Sequence, residues 1–263
     1  MKLSADNLAP PTHPVARLPE EWVAHLREWG EPAYRGKQIF DWIHRRSVLD
    51  PDQMSNLSKT LRARLKDEGL GWPIDVVSSH ESVDRTRKLL VGMPDGERVE
   101  TVLIPQSADD STVTQCISSQ VGCAMGCVFC ASGVAGLKRQ MSDAEIVAQV
   151  LLGRRELGPD RRVRNVVFMG MGEPLHNYDA VARALVLLTH PDGLDLSKRR
   201  VTVSTSGLVK QIDQLGRDFD GQVQLAISLH SVRDEDRSKI MPVNRKHGLA
   251  ELTDALRRYP LSK

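Results

Sequence analysis

The run from Gly122 to Cys130 holds three cysteines, Cys123, Cys127 and Cys130, at C-x-x-x-C-x-x-C spacing. A structural zinc normally takes four nitrogen or sulfur ligands in a closed tetrahedron. The fourth cysteine, Cys116, sits upstream and belongs to no C-x-x-C pair. Three thiolates instead suit three irons of a four-iron, four-sulfur cluster, leaving the last iron without a protein ligand. Such an iron is open to chelation by a small cofactor that accepts an electron from the cluster. Spacing and ligand count favour this cluster over zinc or unligated thiols.

A loop of this kind needs a scaffold that presents it beside other polar groups. From Thr112 onward, strand-like and helix-like stretches alternate. Val113 to Ser118 reads as a strand leading into the cysteine loop, and Asp143 to Leu157 reads as a helix with Ser142 as its N-cap. Strands follow at Asn165–Met169, Arg200–Ser204 and Val223–Ser228. Helices are expected around Tyr178–Leu188 and Val209–Leu215, then a broken helical region ending near Tyr259. Four consecutive β–α units imply a parallel sheet with right-handed crossovers, and chemistry in such folds collects at the carboxyl ends of the strands. The cysteine loop, Gly172-Glu173, Ser204-Thr205-Ser206 and Ser228-Leu229-His230 all fall at such ends.

Upstream, the patterns differ. Residues 1–17 are polar and Pro-rich and read as a flexible N-terminus. Residues 18–72 carry apolar residues at helical spacing (Trp22, Leu26, Trp29; Ile39, Phe40, Ile43; Leu57, Leu61, Leu65), broken at Gly30-Glu31-Pro32 and Leu49-Asp50-Pro51 into three short helices. Residues 73–108 switch to period two, with strands at Val76–Ser79, Arg87–Val91 and Val99–Ile104 and a turn at Pro94-Asp95-Gly96, a small antiparallel β linker. Residues 109–263 form the core of β–α units.

The chain has 263 residues, 40% hydrophobic and 27% charged, the composition of an ordinary globular protein. No apolar stretch reaches membrane-spanning length, and the N-terminus has no apolar signal region. Cysteines grouped for ligation suit a reducing compartment, so the cytoplasm is the expected location. A net charge of +2 means that any nucleic-acid surface must be local.

The motifs are specific enough to resemble a known family. Residues 34–42, 100–105, 116–123, 169–174, 196–202, 204–207 and 226–230 are similar to the radical S-adenosylmethionine RNA methyltransferases, which methylate adenine at carbon 2 in 23S rRNA and in some tRNAs. The aromatic Phe129 before the last cysteine is part of that resemblance. It implies an α/β fold, a partial (β/α) barrel of the radical SAM type with about four units here, and a helical accessory domain that binds RNA. It implies a 4Fe–4S cluster on Cys123, Cys127 and Cys130, and S-adenosylmethionine held by Gly172, Glu173, Ser204, Ser228, Leu229 and His230. Glu100 matches the family's proton acceptor at carbon 2. Cys116 matches the thiol that releases product through a transient disulfide with a methyl-carrying cysteine.

Adenine carbon 2 offers no nucleophilic lone pair, so the family carries the methyl group on that cysteine and activates it with a 5′-deoxyadenosyl radical. Relatives run on past a fourth unit, and the carrier cysteine and a cofactor-binding asparagine lie in that further stretch. The expectation is therefore that these residues are a fragment of a longer product. Three readings remain open at this stage: a carbon-2 methyltransferase, a carbon-8 methyltransferase built on the same motifs, and a non-catalytic protein that binds the cluster and RNA. Expected partners are 23S rRNA, tRNA and an electron donor such as flavodoxin, with no membrane and a monomeric state. Basic runs at His44–Arg46, Arg161–Arg164 and Lys198–Arg200 could meet RNA phosphates, although a charged run is more often a solvated face.

Overall fold

Local sequence rules set the ends of the helices near the N-terminus. Helix α1 (Pro19–Glu28) opens on proline, whose missing N–H is no loss in a first turn. Helix α2 (Tyr34–Phe40) runs into a π-helical turn over Asp41–Arg45. Helix α3 (Lys59–Asp67) is capped by Ser58, whose Oγ accepts from the Leu61 N–H at 3.1 Å. Their apolar faces bury Trp22, Leu26, Ile39, Phe40, Ile43, Leu61 and Leu65 in a core continuous with that of the sheet. The computed structural model describes residues 7–106 and 111–260. The boundary expected at 108/109, the first six residues and Leu261 to Lys263 lie outside them.

The N-terminal segment corrects its expectation. Arg183 of helix α6 (Tyr178–Leu188) is buried and donates to the carbonyls of Ala9 (2.9 Å) and Ala16 (3.1 Å). It also pairs with Glu21 at 2.8 Å. Val15 and Ala16 are fully buried. Composition made this stretch look free; long-range contacts to a buried cation anchor it.

Strands β1 (Asp75–Glu81), β2 (Arg87–Gly92) and β3 (Arg98–Pro105) form the expected antiparallel meander. Between β2 and β3, the Gly96 N–H closes the turn on Met93 O with φ of +86° at the glycine. The meander is not a separate linker, because β3 pairs antiparallel with β4 (Thr112–Cys116). With β7 (Arg162–Phe168), β8 (Val201–Thr205) and β9 (Gln224–Ile227) they make one seven-stranded sheet in the order β1-β2-β3-β4-β7-β8-β9. The pairs β4–β7, β7–β8 and β8–β9 are parallel.

Helices α5 (Asp143–Leu157), α6 and α7 (Val209–Asp218) cross between these parallel strands, and α8 (Asp234–Ile240) and α9 (Leu249–Arg258) follow β9. The fold is thus the α/β arrangement of four β–α units that the alternation implied. Ser142 caps α5 as expected, with Glu145 returning a 2.8 Å bond to the Ser142 N–H. A separate two-stranded sheet, β5 (Gln120–Gly122) with β6 (Leu137–Gln140), encloses the cysteine loop and the short helix α4 (Ala131–Ala135).

Candidate active site

The cysteine loop is tied at its base. Cys123 N–H donates to Gly136 O at 3.1 Å, closing the loop where β5 meets β6. Gly122 makes this closure possible: its φ is +76°, and a Cβ there would lie 1.9 Å from Gly136 O. Cys130 leads into α4, where a Cβ on Gly133 would press within 2.8 Å of Cys127 N. The loop's outer side is secured by the Val128 N–H on Ile240 O at 3.1 Å.

The chain between β4 and this loop is held by buried amides. The Gln149 side chain on α5 makes two 2.9 Å bonds to Ser118, accepting from its N–H and donating to its carbonyl. Asn177 donates to Ser119 O (2.9 Å) and Met141 O (2.7 Å). Ser118 Oγ donates to Glu100 O (2.7 Å) and accepts from the Met171 N–H (2.9 Å). One serine therefore links β3, β4 and the turn after β7.

That turn carries Gly172 and Glu173. A Cβ at Gly172 would lie 2.5 Å from Gln120 Cβ, and its φ of +104° suits glycine. Glu173 is 3% exposed, and its carboxylate accepts from the Ser206 N–H (2.7 Å) and the Leu175 N–H (3.1 Å). Burial pushes its pKa up, opposed by these N–H groups and the Thr205 hydroxyl. Glu173 thus ties the carboxyl ends of β7 and β8 together. Ser204 is half-buried at the end of β8, in register with Ala226 of β9. Ser228 follows β9, its N–H on Thr205 O at 2.9 Å. His230 adopts a left-handed φ of 56° and places its ring 4.4 Å from that of Phe129 in the cysteine loop. The rim is apolar: Val128, Phe129, Met169 and Leu229 are all exposed.

Cys116 ends β4, opposite Val102 of β3 and Val167 of β7. Burial raises the pKa of its thiol. Glu100 is half-exposed and paired with Lys88 across the strand at 2.9 Å. It nonetheless lines a cavity of about 430 Å³ together with Gly122, Ala131, Ser132 and Met171. All the expected site residues therefore lie at one edge of the sheet or on the β3 flank beside it. The expected disulfide is not formed. All four cysteines are free thiols; the transient disulfide that the resemblance implies pairs Cys116 with a cysteine of the relatives' further stretch, not with any of these.

One contributor has no signal in the sequence. Arg237 of α8 is fully buried. It donates to Ser206 O (2.6 Å), Leu229 O (3.1 Å), Ser228 O (3.3 Å) and Asn244 Oδ1 (2.6 Å). Asn244 in turn donates to Asp234 Oδ1 at 2.9 Å. The run Asp234-Glu235-Asp236-Arg237-Ser238-Lys239 reads as a solvated helix face, and only the α8 docking turns one of its charges inward.

The donor set fits an iron–sulfur cluster. Burial pushes the Cys123 thiol up to about 11, with further rises from Glu173, Cys127 and Cys130. Cys127 is raised by burial and then by Cys130 and Glu173. The three sulfurs thus share one electrostatic neighbourhood. Thiolate ligands at these positions need a bound cation to offset that cost. Among the described residues, no three His, Cys, Asp or Glu side chains form a group that could hold a metal ion. A cubane does not ask that of them, since each thiolate binds a different iron.

Comparison with known proteins agrees with this geometry. Residues 117–260 match the radical SAM superfamily, and residues 19–69 match the ribosomal RNA large subunit methyltransferase N-terminal domain. A dual-specificity RNA methyltransferase RlmN from Sorangium cellulosum is 55% identical over 96% of this chain and 73% of its own length. The chain belongs to the RlmN family of radical SAM proteins. A probable RlmN from Heliobacterium modesticaldum is 45% identical over 95% of the chain, which spans 66% of that relative. The crystal structure of a radical SAM methyltransferase from Sphaerobacter thermophilus superposes with a TM-score of 0.89 at 43% identity, covering 95% of this chain and 72% of that one. The cofactors of this family member are a 4Fe–4S cluster and S-adenosylmethionine.

Proposed function

We propose that this chain serves methylation of adenine carbon 2 in 23S rRNA and in tRNA. The observation that carries the reading is the closed cysteine loop beside the Glu173 carboxylate, with Ser206, Ser228 and Leu229 fixed around them by Arg237. The names of the relatives, dual-specificity RNA methyltransferases, support RNA as the substrate.

Cys123, Cys127 and Cys130 hold the cluster as thiolates, and the cluster with S-adenosylmethionine supplies reductive generation of a carbon radical. Gly172 lets the backbone come close, and Glu173 offers a buried carboxylate to the cofactor's ammonium group. Ser204, Ser228, Leu229 and His230 complete the pocket wall. Glu100 accepts the proton lost from carbon 2, for which its exposure and its place on the cavity of about 430 Å³ give access. Cys116 supplies the thiol that attacks the sulfur of the relatives' carrier cysteine; the disulfide forms as the sulfur–carbon bond to the product breaks, and the product carbon takes the electron pair and a proton. The apolar rim at Phe129, Met169 and Leu229 suits a base turned out of its stack. The electron comes from a small donor of the flavodoxin type.

The test has two parts. Adding S-adenosylmethionine to the reduced, reconstituted protein should change the electron paramagnetic resonance signal of the cluster; an unchanged signal at saturating cofactor refutes the pocket. Nucleosides from host ribosomal RNA and tRNA should contain 2-methyladenosine, lost when the gene carries Cys116→Ala. Loss of 8-methyladenosine in its place would assign the carbon-8 reaction.

A further inference from the structure

The basic runs that the site does not use come together at the opposite end of the sheet. A cleft of about 520 Å³ opens between the helical module and the start of β7, lined by Arg46, Arg154, Arg155, Arg161, Arg162 and Trp72 among others. Its lining includes one carboxylate, Asp50. The chain as a whole has 36 basic against 34 acidic residues, so this concentration is local and not compositional.

Several guanidinium groups are held in place before any ligand arrives. Arg46 lies over the Trp42 ring at 4.3 Å and pairs with Asp41 at 2.7 Å. Arg155 lies over Trp72 at 4.4 Å, with Glu156 only at the limit of pairing, 3.9 Å away. Arg154 is structural: it donates to His44 O and Arg45 O at 2.9 Å each and joins the helical module to α5.

The band continues past the cleft. Arg162 and Arg164 are exposed at alternate positions of β7, so they share a face. The turn Lys198–Arg200 precedes β8, the neighbouring strand, and Arg200 reaches Asn165 at 3.4 Å. All three basic runs thus border the amino ends of β7 and β8 or the seam beside them. The active-site loops leave the carboxyl ends. At the rise of a strand, the length of β7 separates the two edges by roughly 20 Å.

We propose that this arginine band is a second RNA contact, which grips the phosphodiester backbone of the substrate away from the modified base. The inference rests on the RNA reading above. A band spread over three elements exceeds what a single small anion can engage, whereas an extended polyanion meets all of it. Aromatic shelves under Arg46 and Arg155 reduce the entropy lost on gripping phosphate.

The experiment measures binding of a fluorescein-labelled, unmodified 23S rRNA fragment to the reconstituted protein by anisotropy across a salt series. The double variant Arg155→Glu with Arg162→Glu removes two exposed charges and spares Arg154. Affinity should fall at least tenfold near physiological salt, and the slope of log K against log salt should drop by about 2. The Lys pair at the same positions should retain most of the affinity, and the cofactor-induced change in the cluster signal should persist in all variants. Wild-type affinity and slope in the Glu pair overturn the band while leaving the RNA reading intact. Failure of the unaltered protein to bind RNA overturns both.

Discussion

Arg237→Met isolates what fixes the cofactor loops. The substitution keeps the length and apolar stem of the side chain but removes every donor. Ser206 O, Leu229 O and Asn244 Oδ1 then lose partners at 2.6, 3.1 and 2.6 Å, and Ser228 O loses a weaker one at 3.3 Å. An orphaned buried acceptor costs about 1 to 3 kcal/mol. Part of this is offset, because burial also disfavours the guanidinium and, among the described residues, no carboxylate hydrogen-bonds it. Taking the low end for the three close acceptors gives a loss of about 3 kcal/mol. For a chain of this size that corresponds to a fall in Tm of roughly 6 to 12 °C. The loops after β8 and β9 should loosen first, since they carry the orphaned carbonyls. The assays are thermal denaturation by circular dichroism and titration of S-adenosylmethionine against the reduced cluster signal. Cofactor affinity should fall at least tenfold even well below Tm. Arg237→Lys should recover only part of the loss, because one ammonium cannot span acceptors on two strand ends and on the turn after α8. A Tm within about 2 °C of the unaltered protein, with unchanged cofactor affinity, would show that Arg237 does not organise this edge.

Further outcomes follow from other parts of the chain. Anaerobic reconstitution should give a brown protein with about four irons and four sulfides per chain, and Ala at Cys123, Cys127 or Cys130 should leave the cluster labile; tight zinc binding by a colourless protein would refute the cluster. Gly122→Ala should destabilise the loop by about 2 kcal/mol or more and abolish iron retention, because the new Cβ occupies the place of Gly136 O; normal iron content would refute the closure argument. Burial lowers the pKa of His44 from 6.5 to about 3, so the folded state keeps it neutral. The stability this confers is complete above pH 6.5 and is lost on acidification toward 3, at about 1.4 kcal/mol per pH unit within that window. His44→Gln should remove that slope between pH 6.5 and 5 in denaturant titrations, and an unchanged slope would show that His44 titrates freely.

Much of the fold was legible because its signals are local. The limits expected for α5 and α6 coincide with the helices formed, since a serine cap and a turn-breaking segment act within a few residues. The four β–α units follow from alternation and hydrophobic period alone. The cysteine loop was legible because its three thiols lie within eight residues of chain.

Other features depend on groups distant in sequence. Arg183 anchors Ala9 and Ala16 from more than 160 residues away, so a stretch with the composition of a loose tail is bound. The pairing of β3 with β4 makes one sheet of what period two presented as a separate linker, because strand patterns do not name their neighbours. The charges of Arg237 and Arg162 look alike in the sequence, yet one is enclosed by four acceptors and the other stands at an exposed edge. Residue types and spacing by themselves determined the chemistry and the order of the elements. Which polar groups were withdrawn from water, and which strand ends they hold together, was decided only by tertiary packing, since burial and long-range hydrogen bonding are properties of the assembled chain.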